Sequence, residues 1–434
     1  MEYRYRDASE MKDSGVEWIG KIPKYWEINK LKNISSIYGR IGFRGYTVND
    51  LVSEGEGAIT LSPSNIEEQK LKLDKLTYIS WEKYEESPEI KVYNEDIVFV
   101  KTASVGKVAY IEGLLEKATI NPQFVVFKNI KMNKKLLYYI LVSNVIQEQI
   151  NSGINGGVVS TLTQQDINNY YIPYQNNIEQ EKIANFLDKK TLQFDSIISK
   201  KEALIEKLEE AKKSLISEVV TGKVKVVKTD DGYELVKRSS EEMKDSGVEW
   251  LGEIPKNWEV KKLKYVASLK SGDSITSNNI KDEGIYPVYG GNGLRGYTSN
   301  YTHSGKYILI GRQGALCGNI NYASNEFWAS EHAVVVNPVI EVNLTWLGEL
   351  LRSMNLNQYS VSAAQPGLAV GMIENLYIPY TSIKIQNKIA AYIDEKIKNI
   401  EYTINKTKQQ IEKLKEAKQS LISEAVTGKI EILD

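Results

Sequence analysis

The feature that most constrains this chain is that it contains the same segments twice. The segment MKDSGVEWIGKIPKYWEINKLK at residues 11–32 returns as MKDSGVEWLGEIPKNWEVKKLK at residues 243–264, identical at 17 of 22 positions. A second pair, residues 183–224 and 389–430, ends both times in Leu-Ile-Ser-Glu, one variable residue and Val-Thr-Gly-Lys. Because the period is close to 200 residues, the pattern indicates a duplicated domain, whereas solenoid repeats are far shorter.

Each half therefore has a constant opening, a divergent body and a constant helical end. The copies are 232 residues apart at the opening segment and 206 apart at the end, so the second body is 26 residues shorter. A chain of 434 residues is also too long for one hydrophobic core. We predict a globular domain at 1–177, a helical region at 178–224, a second globular domain at 225–382 with a linker at 225–242, and a helical region at 383–434.

The two constant ends have the periodicity of long helices. Apolar residues recur at alternating steps of three and four, and charges alternate on the remaining faces. Forty residues of helix rise roughly 60 Å, so the two segments predict an antiparallel coiled coil; two solitary helices packed on their own domains are the alternative. The predicted seam consists of Phe194, Ile197, Leu204, Leu208, Ala211 and Leu215 in the first helix and Ile393, Ile397, Ile400, Ile404, Ile411, Leu414, Ala417 and Leu421 in the second. In the first helix Lys201 is the polar exception, and Ile198, Ile205 and Val219 widen the apolar stripe.

The divergent bodies alternate short β-branched runs with turns and helical patches. EDIVFVKT at 95–102 and KYILIGR at 306–312 predict strands, and KKLLYYILVSNVIQEQI at 134–150 predicts helix. A faint correspondence links IVFVKTASVGKVAYI with YILIGRQGALCGNINY, each a strand, a glycine-bearing turn and another strand. The predicted fold class is α/β: two globular mixed α/β domains joined by two long helices that form an antiparallel coiled coil, in a pseudo-two-fold tandem repeat.

Composition narrows the chemistry. One cysteine, Cys317, excludes a disulfide framework, and two isolated histidines, His303 and His332, leave little for a metal site. No apolar run approaches 18 residues and the start lacks an apolar leader core, which predicts a cytoplasmic protein without a membrane span. A net charge of −1 argues against indiscriminate coating of nucleic acid but leaves room for local basic patches.

Catalytic motifs are weak. Asn121-Pro122-Gln123-Phe124 is similar to the Asn-Pro-Pro-Phe tetrapeptide of amino-methyltransferases, but Gln123 replaces the second proline and no glycine cofactor loop precedes it. The turn GGNGLRG at 290–296 lacks GxGxxG spacing after a clear strand. Residues 88–91, PEIK, are too short a version of the carboxylate pair with a lysine that a nuclease needs. We therefore expect no catalytic residues and no metal site in this chain.

The duplicated motifs together resemble the specificity subunit of type I restriction-modification systems. The resemblance rests on Gly20, Ile22, Pro23 and Trp26 with their second copies, on the IPY marker before each helix, and on the constant helix starts and ends. It implies a non-catalytic double-stranded DNA reader whose two target-recognition domains each read half of an interrupted site. It also implies that two modification (methyltransferase) subunits dock on the helical regions and that restriction subunits join outside. S-adenosylmethionine, ATP and Mg would then belong to those partners, with no cofactor on this chain.

The physical demands of that task agree with the pattern. An interrupted target needs two readers at a fixed separation, for which paired rods are suited, and two like partners need repeated docking surfaces. A coiled-coil scaffold with two protein- or ligand-binding heads is the alternative, and steep salt dependence of DNA binding would separate the two hypotheses.

The DNA-facing residues are predicted from side-chain chemistry. Arg and Lys suit phosphates and guanine, Asn and Gln suit adenine, and neighbouring glycines allow close backbone approach. The tripeptide Arg-Gly-Tyr occurs after the opening segment in both bodies, which favours it as a contact. The predicted residues are Arg40, Arg44, Tyr46, Lys101, Thr102, Ser104 and Asn155 in the first body and Asn292, Arg295, Tyr297, Arg312, Gln313 and Gln365 in the second.

Two further sets come from the constant segments. The opening tryptophans are predicted to be packing anchors, because a reader of variable sequence should not keep its specificity in a constant segment. The candidates for partner contact lie at matched positions of the two helices, where helix capping and solvated charge are the alternative roles. They are Gln180, Lys182, Asp188 and Glu218 with their counterparts Gln386, Lys388, Asp394 and Glu424.

Overall fold

The computed structural model describes residues 2–40, 45–152, 161–230, 232–314, 316–360 and 367–433. The chain divides into two compact units. The first unit comprises residues 1–201 and 409–434, and the second comprises residues 202–408. Each unit therefore contains one divergent body and one part of each long helix.

The first unit is built on two sheets. The strands of this unit are β1 (Tyr3–Tyr5), β2 (Met11–Asp13), β3 (Lys21–Pro23), β4 (Glu27–Lys30), β5 (Ser36–Gly39), β6 (Leu51–Val52), β7 (Gly57–Leu61), β8 (Ile66–Glu67), β9 (Lys70–Leu71), β10 (Tyr78–Ser80), β11 (Lys91–Val92), β12 (Ile97–Val100), β13 (Val108–Tyr110), β14 (Ala118–Ile120), β15 (Phe124–Lys128) and β16 (Tyr171–Tyr174). One sheet has the antiparallel order β13-β12-β15-β5, and the other has the order β11-β14-β7-β10-β6 with β14 parallel to β7. Its helices are α1 (Leu31–Ile34), α2 (Trp81–Glu85), α3 (Lys134–Val142), α4 (Asn144–Ser152), α5 (Gln164–Asn169) and the first part of α6 (Asn177–Val220).

The second unit repeats this plan with a smaller second sheet. Its strands are β17 (Val224–Thr229), β18 (Gly232–Lys237), β19 (Met243–Asp245), β20 (Glu253–Pro255), β21 (Glu259–Lys262), β22 (Ala267–Ser271), β23 (Tyr286–Gly290), β24 (Gly293–Thr298), β25 (His303–Ser304), β26 (Tyr307–Gly311), β27 (Ile320–Ala323), β28 (Glu326–Ala329), β29 (Ala333–Pro338) and β30 (Tyr377–Tyr380). The sheet orders are β22-β29-β26-β27, all antiparallel, and β24-β23-β28-β25, in which β23 and β28 are parallel. Its helices are α7 (Leu344–Ser353), α8 (Val370–Glu374), the second part of α6 and the first part of α9 (Ile383–Val426), while β31 (Ile430–Ile432) belongs to the first unit.

The central strands are apolar throughout because both of their faces are buried. In β12, Ile97 and Phe99 join the core that includes the helices, whereas Val98 and Val100 join the core beneath the second sheet. Successive side chains of a strand point to opposite faces, so a continuous apolar run serves two layers at once. In β26, Ile308 and Leu309 divide between two cores in the same way.

The long helices pair antiparallel within each unit. In the first unit, Lys201 Nζ donates to Gln410 Oε1 at 2.7 Å, while Lys418 Nζ lies 2.6 Å from Asp195 Oδ1. A later residue of one helix thus meets an earlier residue of the other. In the second unit, Lys212 Nζ contacts Glu401 Oε1 at 2.7 Å with the same sense. The predicted fold class is confirmed, and the alternative of solitary helices is wrong.

The predicted seam of the first helix was wrong by one position at half of its sites. Ile198 is 5% exposed, whereas its neighbour Ile197 is 45% exposed and Leu204 is 44% exposed. The observed seam still advances by alternating steps of three and four, which is the spacing of a coiled coil. It runs through Thr191, Phe194, Ile198, Lys201, Ile205, Leu208, Lys212, Leu215 and Val219. The two lysines in this seam are the residues that bond to the partner helix.

The constant opening segments pack on the ends of the long helices. An added Cβ at Gly428 would lie 2.5 Å from Pro23 Cδ and 3.0 Å from Trp26 Cη2. In the second unit, an added Cβ at Gly222 would meet Pro255 Cδ at 2.8 Å and the Trp258 ring at 2.9 Å. Both glycines end their helices with positive φ, +70° and +77°. The opening motif and the Thr-Gly-Lys motif are therefore two sides of one contact, made once in each unit.

An arginine before each opening segment binds the same helix end. Arg6 Nε donates to the carbonyl of Gly428 at 3.1 Å, and Arg238 Nε donates to the carbonyl of Gly222 at 2.8 Å. A short β pairing accompanies each contact, β17 with β18 in the second unit and β31 with β1 in the first. In the first unit the two paired strands come from distant parts of the chain, whereas in the second unit they form one hairpin.

None of the helices in the described ranges combines the length and apolar character that a bilayer crossing requires.

Candidate nucleic-acid interface

In the first unit, the predicted residues Lys101, Thr102 and Ser104 follow strand β12. They lie at the end of the four-stranded sheet where β5 and β12 end and β15 begins. Lys101 follows β12, and its backbone N–H donates to the carbonyl of Gln123 at 2.8 Å, just before β15. The carbonyl of Lys101 accepts from Leu162 N at 2.7 Å, and Thr102 forms a bridge with Thr161. These bonds fix the backbone of Lys101 between two neighbouring segments. The sheet end therefore presents this lysine in one defined backbone conformation.

The side chains at this end of the sheet are accessible to solvent. Lys101 and Thr102 are half-buried, and Ser104 is exposed. Within the described ranges, no carboxylate contacts the Lys101 ammonium. A cation without a carboxylate partner is available to an anionic ligand such as a phosphate.

The second unit builds the same edge with other side chains. Arg312 follows β26, and its N–H donates to the carbonyl of His332 at 2.8 Å. The carbonyl of Arg312 accepts from Leu368 N at 2.9 Å, and Gln313 forms a bridge with Gly367. The Arg312 guanidinium donates to Ser271 Oγ at 3.2 Å, and among the described residues this bond uses one of its five N–H groups.

A hairpin turn adds a third polar side chain to this edge. The turn between β23 and β24 contains Asn292, and its glycines allow close backbone approach. An added Cβ at Gly311 would lie 2.0 Å from the carbonyl oxygen of Gly291, so no larger residue fits there. Asn292 is exposed and accepts a hydrogen bond from Asn319 Nδ2 at 3.2 Å. The structure thus brings Asn292, Arg312 and Gln313 together.

These hydrogen bonds define which residues correspond between the units. Lys101 corresponds to Arg312, Thr102 to Gln313 and Gln123 to His332, because each pair makes the same backbone bonds. The faint correspondence between the two strand-turn-strand segments is therefore real. Two bodies with little shared sequence present different side chains from the same backbone positions.

A further corresponding pair escaped the sequence analysis. Asn121 N donates to the carbonyl of Leu61, and Ser330 N donates to the carbonyl of Tyr289, both at 2.9 Å. The third residue after each of these carbonyls is Ser64 in the first unit and Asn292 in the second. Ser64 is exposed in a short helical turn after β7, whereas Asn292 lies in a hairpin turn, so the two positions correspond by their distance from the paired strands. A serine in SPSN has no property that separates it from an ordinary turn residue, so only the strand pairing identifies it.

Arg40 has a bracing role in the structure. It is only 6% exposed, and it donates to the carbonyl of Ile120 at 3.2 Å and to Thr119 Oγ1 at 3.3 Å. Its guanidinium lies 5.4 Å from the ring centre of Tyr46, and burial lowers the pKa of this arginine. Arg40 and Tyr46 therefore hold one strand end against another, a placement at odds with the predicted DNA contact.

The repeated Arg-Gly-Tyr does not mark equivalent positions. Strands β7 and β23 correspond, because each pairs with a parallel strand in its unit. Tyr46 comes before β7 in the chain, whereas Tyr297 comes after β23, in strand β24. Arg295 is exposed on β24, and its Cδ would contact a Cβ placed on Gly290. The predicted residues Arg44, Asn155 and Gln365 lie outside the described residues.

Gln180 and Gln386 are internal braces. Gln180 Oε1 accepts from Asn133 N at 2.7 Å, and Gln386 Oε1 accepts from Asn343 N at 2.9 Å. Each asparagine is the N-cap of a helix, α3 or α7, and each glutamine is almost wholly buried. The glutamines therefore lock a body helix to the start of a long helix, which explains why both copies keep them and leaves no amide surface for a partner.

The remaining candidates for partner contact differ in their exposure and in their contacts within the chain. Asp188 accepts from Tyr139 OH at 2.7 Å and lies 2.9 Å from Lys135 Nζ, so it too is engaged internally. Glu424 Oε2 accepts from Tyr5 OH at 3.0 Å. Asp394 is exposed, whereas Glu218, Lys388 and Lys182 are half-buried. Lys182 also has an interaction partner within the chain.

The Asn-Pro-Gln-Phe tetrapeptide forms a turn. Asn121 Oδ1 accepts from Gln123 N at 3.0 Å, and Asn121 Nδ2 donates to Gln123 Oε1 at 2.9 Å. Asn121 is 7% exposed, and its polar atoms close the loop between β14 and β15. Among the described residues, no group of His, Cys, Asp and Glu is arranged to hold a metal ion.

Known proteins resemble this chain over its whole length. The type I restriction enzyme MjaIX specificity subunit of Methanocaldococcus jannaschii is 24% identical over 465 aligned positions, covering 99% of this chain and 98% of the relative. The type I restriction enzyme EcoprrI specificity subunit of Escherichia coli is 46% identical over 139 residues, which span 31% of this chain and only 35% of that relative.

A solved chain of the type I R-M system has the same fold. It aligns with a TM-score of 0.67 at 15% identity and covers 94% of this chain and 99% of its own length. The family described as the type I restriction modification DNA specificity domain matches residues 23–210 and again residues 255–413. With one match in each half, this chain belongs to the type I restriction modification DNA specificity family.

Proposed function

We propose that this chain is the non-catalytic DNA-recognition subunit of a type I restriction-modification complex in the cytoplasm. Its target is an interrupted sequence in double-stranded DNA, and each body, assigned here to residues 1–177 and 225–382, reads one half. The observation that carries the proposal is the correspondence of Lys101 with Arg312 and of Thr102 with Gln313 in one hydrogen-bonded frame.

The shared frame explains how one fold serves two half-sites. Backbone bonds place these positions at the same sheet edge in each unit, while the side chains that project from them differ in charge and in hydrogen-bonding pattern. Base identity is read by such side chains, whereas phosphate contacts set the register. A duplicated reader with altered side chains thus supports recognition of an asymmetric target.

The long helices are the proposed docking sites of modification subunits. Apolar side chains that lie outside the seam are exposed on them: Leu192 is 66% exposed in the first unit, and Tyr402 is 65% exposed in the second. The outer charged residues Asp394, Glu218, Lys182 and Lys388 remain candidates for the same contacts. Restriction subunits would join this assembly, and S-adenosylmethionine, ATP and Mg would be bound by the partner subunits.

The proposal is tested by reconstitution. The purified chain alone should neither methylate nor cleave a DNA duplex, and addition of modification subunits with S-adenosylmethionine should give adenine methylation at one interrupted sequence. Modification subunits without this chain are the matched control and should leave that sequence unmethylated. Methyl transfer by the chain alone, or no sequence preference in the complex, would contradict the proposal. Affinity for random duplex that is independent of salt would instead support a protein- or ligand-binding scaffold.

A further inference from the structure

We infer that three pairs of corresponding positions, 64 with 292, 101 with 312 and 102 with 313, determine the sequence that each body reads. The inference rests on the proposed function and adds to it the identity of the reading residues. Positions 101 with 312 and 102 with 313 make the same backbone bonds, and positions 64 and 292 each lie three residues after a carbonyl that makes the same bond in both units.

Arg312 has the geometry of a guanine reader. Its backbone is held on both sides, by His332 through its N–H and by Leu368 through its carbonyl. Ser271 Oγ accepts one guanidinium N–H at 3.2 Å, so the protein orients one edge of the guanidinium, and no other side chain in the described ranges accepts from its remaining donors. A guanidinium oriented in this way can donate two parallel bonds to O6 and N7 of guanine in the major groove.

Asn292 and Gln313 complete the set in the second unit. Both are exposed, and the close approach of Gly291 to Gln313 brings the hairpin turn against the strand end that carries the glutamine. Side-chain amides pair with N6 and N7 of adenine, which no other base edge matches in the major groove. The second unit therefore presents one guanine-type and two adenine-type side chains at one edge.

The first unit presents a different set from the same places. Lys101 replaces the arginine, Thr102 replaces the glutamine and Ser64 replaces the asparagine. A lysine acts as a point charge without a planar fork, and hydroxyl groups accept or donate to several bases. The two half-sites should accordingly differ, and the first should tolerate more base substitutions at the positions that Ser64 and Thr102 contact.

The decisive variant is Arg312→Lys. The full chain in complex with modification subunits is used to select bound sequences from a library of random duplexes at one fixed salt concentration. Lysine keeps the charge but loses the paired donors, so a guanine preference at one position of one half-site should fall roughly ten- to hundredfold, while the other half-site is unchanged. Arg352→Lys, on α7 beside Glu349, is the matched control and should leave every position unchanged.

A transplant provides the converse test. Ser64→Asn gives the first unit the side chain that the second carries at the corresponding position, and it should alter the preference at one position of the first half-site alone. If the unaltered complex selects one sequence and both variants select the same sequence with unchanged preferences, the inference is wrong and the proposed function stands. If the unaltered complex selects no sequence, both are overturned.

Discussion

Gly428 lies so close to Pro23 that a single added carbon would come within 2.5 Å of the proline ring. The same relationship joins Gly222 to Pro255, at 2.8 Å. The two most conspicuous repeats of the sequence are therefore the two sides of one packing contact, which is made once in each unit. The positions proposed to read DNA lie in segments that have no part in this contact.

Substitution of Gly428 by alanine should destabilise the first unit. A Cβ in the left-handed region costs roughly 1–2 kcal/mol, and displacement of the Pro23 ring adds to that cost. We expect the free energy of unfolding, measured in urea, to fall by about 2 kcal/mol. Gly371→Ala is the control, because this glycine has no neighbour within 4 Å of an added Cβ and lies in helix α8, where alanine is favoured. Equal stability of the two variants would show that the helix end is not packed as described.

Replacement of Glu179 by isoleucine tests a polar difference between the two contacts. Glu179 accepts from Trp26 Nε1 at 3.0 Å and pairs with Arg6 at 2.9 Å, whereas the second unit has Ile385 in its place. Arg6 is only 4% exposed, and the substitution would leave its buried charge with the longer contact to Glu431 at 3.4 Å. We expect a loss of about 2–4 kcal/mol in unfolding free energy.

The control for this variant is Glu181→Ile, two residues away on the exposed face of α6. A surface substitution of this kind changes stability by about 0.5 kcal/mol or less. If Glu179→Ile were as mild as the control, the Gly428 carbonyl and Glu431 would suffice for Arg6, and the contact with Glu179 would not be the one that stabilises the helix start.

The adjacent residues Ile197 and Ile198 test the position of the coiled-coil seam. Ile198 is 5% exposed and Ile197 is 45% exposed, although the sequence offers the same side chain at both. Ile198→Ala should cost about 2–4 kcal/mol through a cavity, while Ile197→Ala should cost under about 1 kcal/mol. Thermal unfolding of the two variants measures the difference directly, and the reverse order would restore the seam first expected from periodicity.

These particulars show what the sequence could and could not predict. Periodicity predicts the long helices, and continuous apolar runs predict β12 and β26, because burial on one or two faces imposes those patterns. Adjacent isoleucines at 197 and 198 satisfy either seam, so the choice depends on the partner helix. Arg40 and Gln180 are polar residues whose burial follows from tertiary hydrogen bonds that no local pattern contains. Ser64 gains its significance only from the pairing of β7 with β14.

Acid should weaken the attachment of the β8–β9 hairpin to the helix pair. Burial would raise the pKa of Asp195, but hydrogen bonds and charge from Lys418 and Lys70 outweigh it and leave this pKa below its usual value. A carboxyl whose pKa is lowered by folding stabilises the protein at neutral pH, and that contribution disappears as pH falls through the folded-state pKa. Asp195→Asn should therefore reduce stability at pH 7 and flatten its loss below about pH 4. Parallel acid-unfolding curves for variant and parent would contradict this account.

Lys101 should contribute to DNA affinity through charge. Its ammonium lies at the sheet edge without a carboxylate contact among the described residues, so removal of the charge releases no buried partner. If it neutralises one phosphate, Lys101→Ala should weaken binding to all duplex sequences and reduce the slope of log affinity against log salt by about 1. Fluorescence anisotropy of a labelled duplex across a salt series measures both. Lys21→Ala, at the exposed first residue of strand β3, should change neither. An unchanged slope for Lys101→Ala would contradict the phosphate contact, whereas a lost preference at one base would support the reading role proposed for position 101.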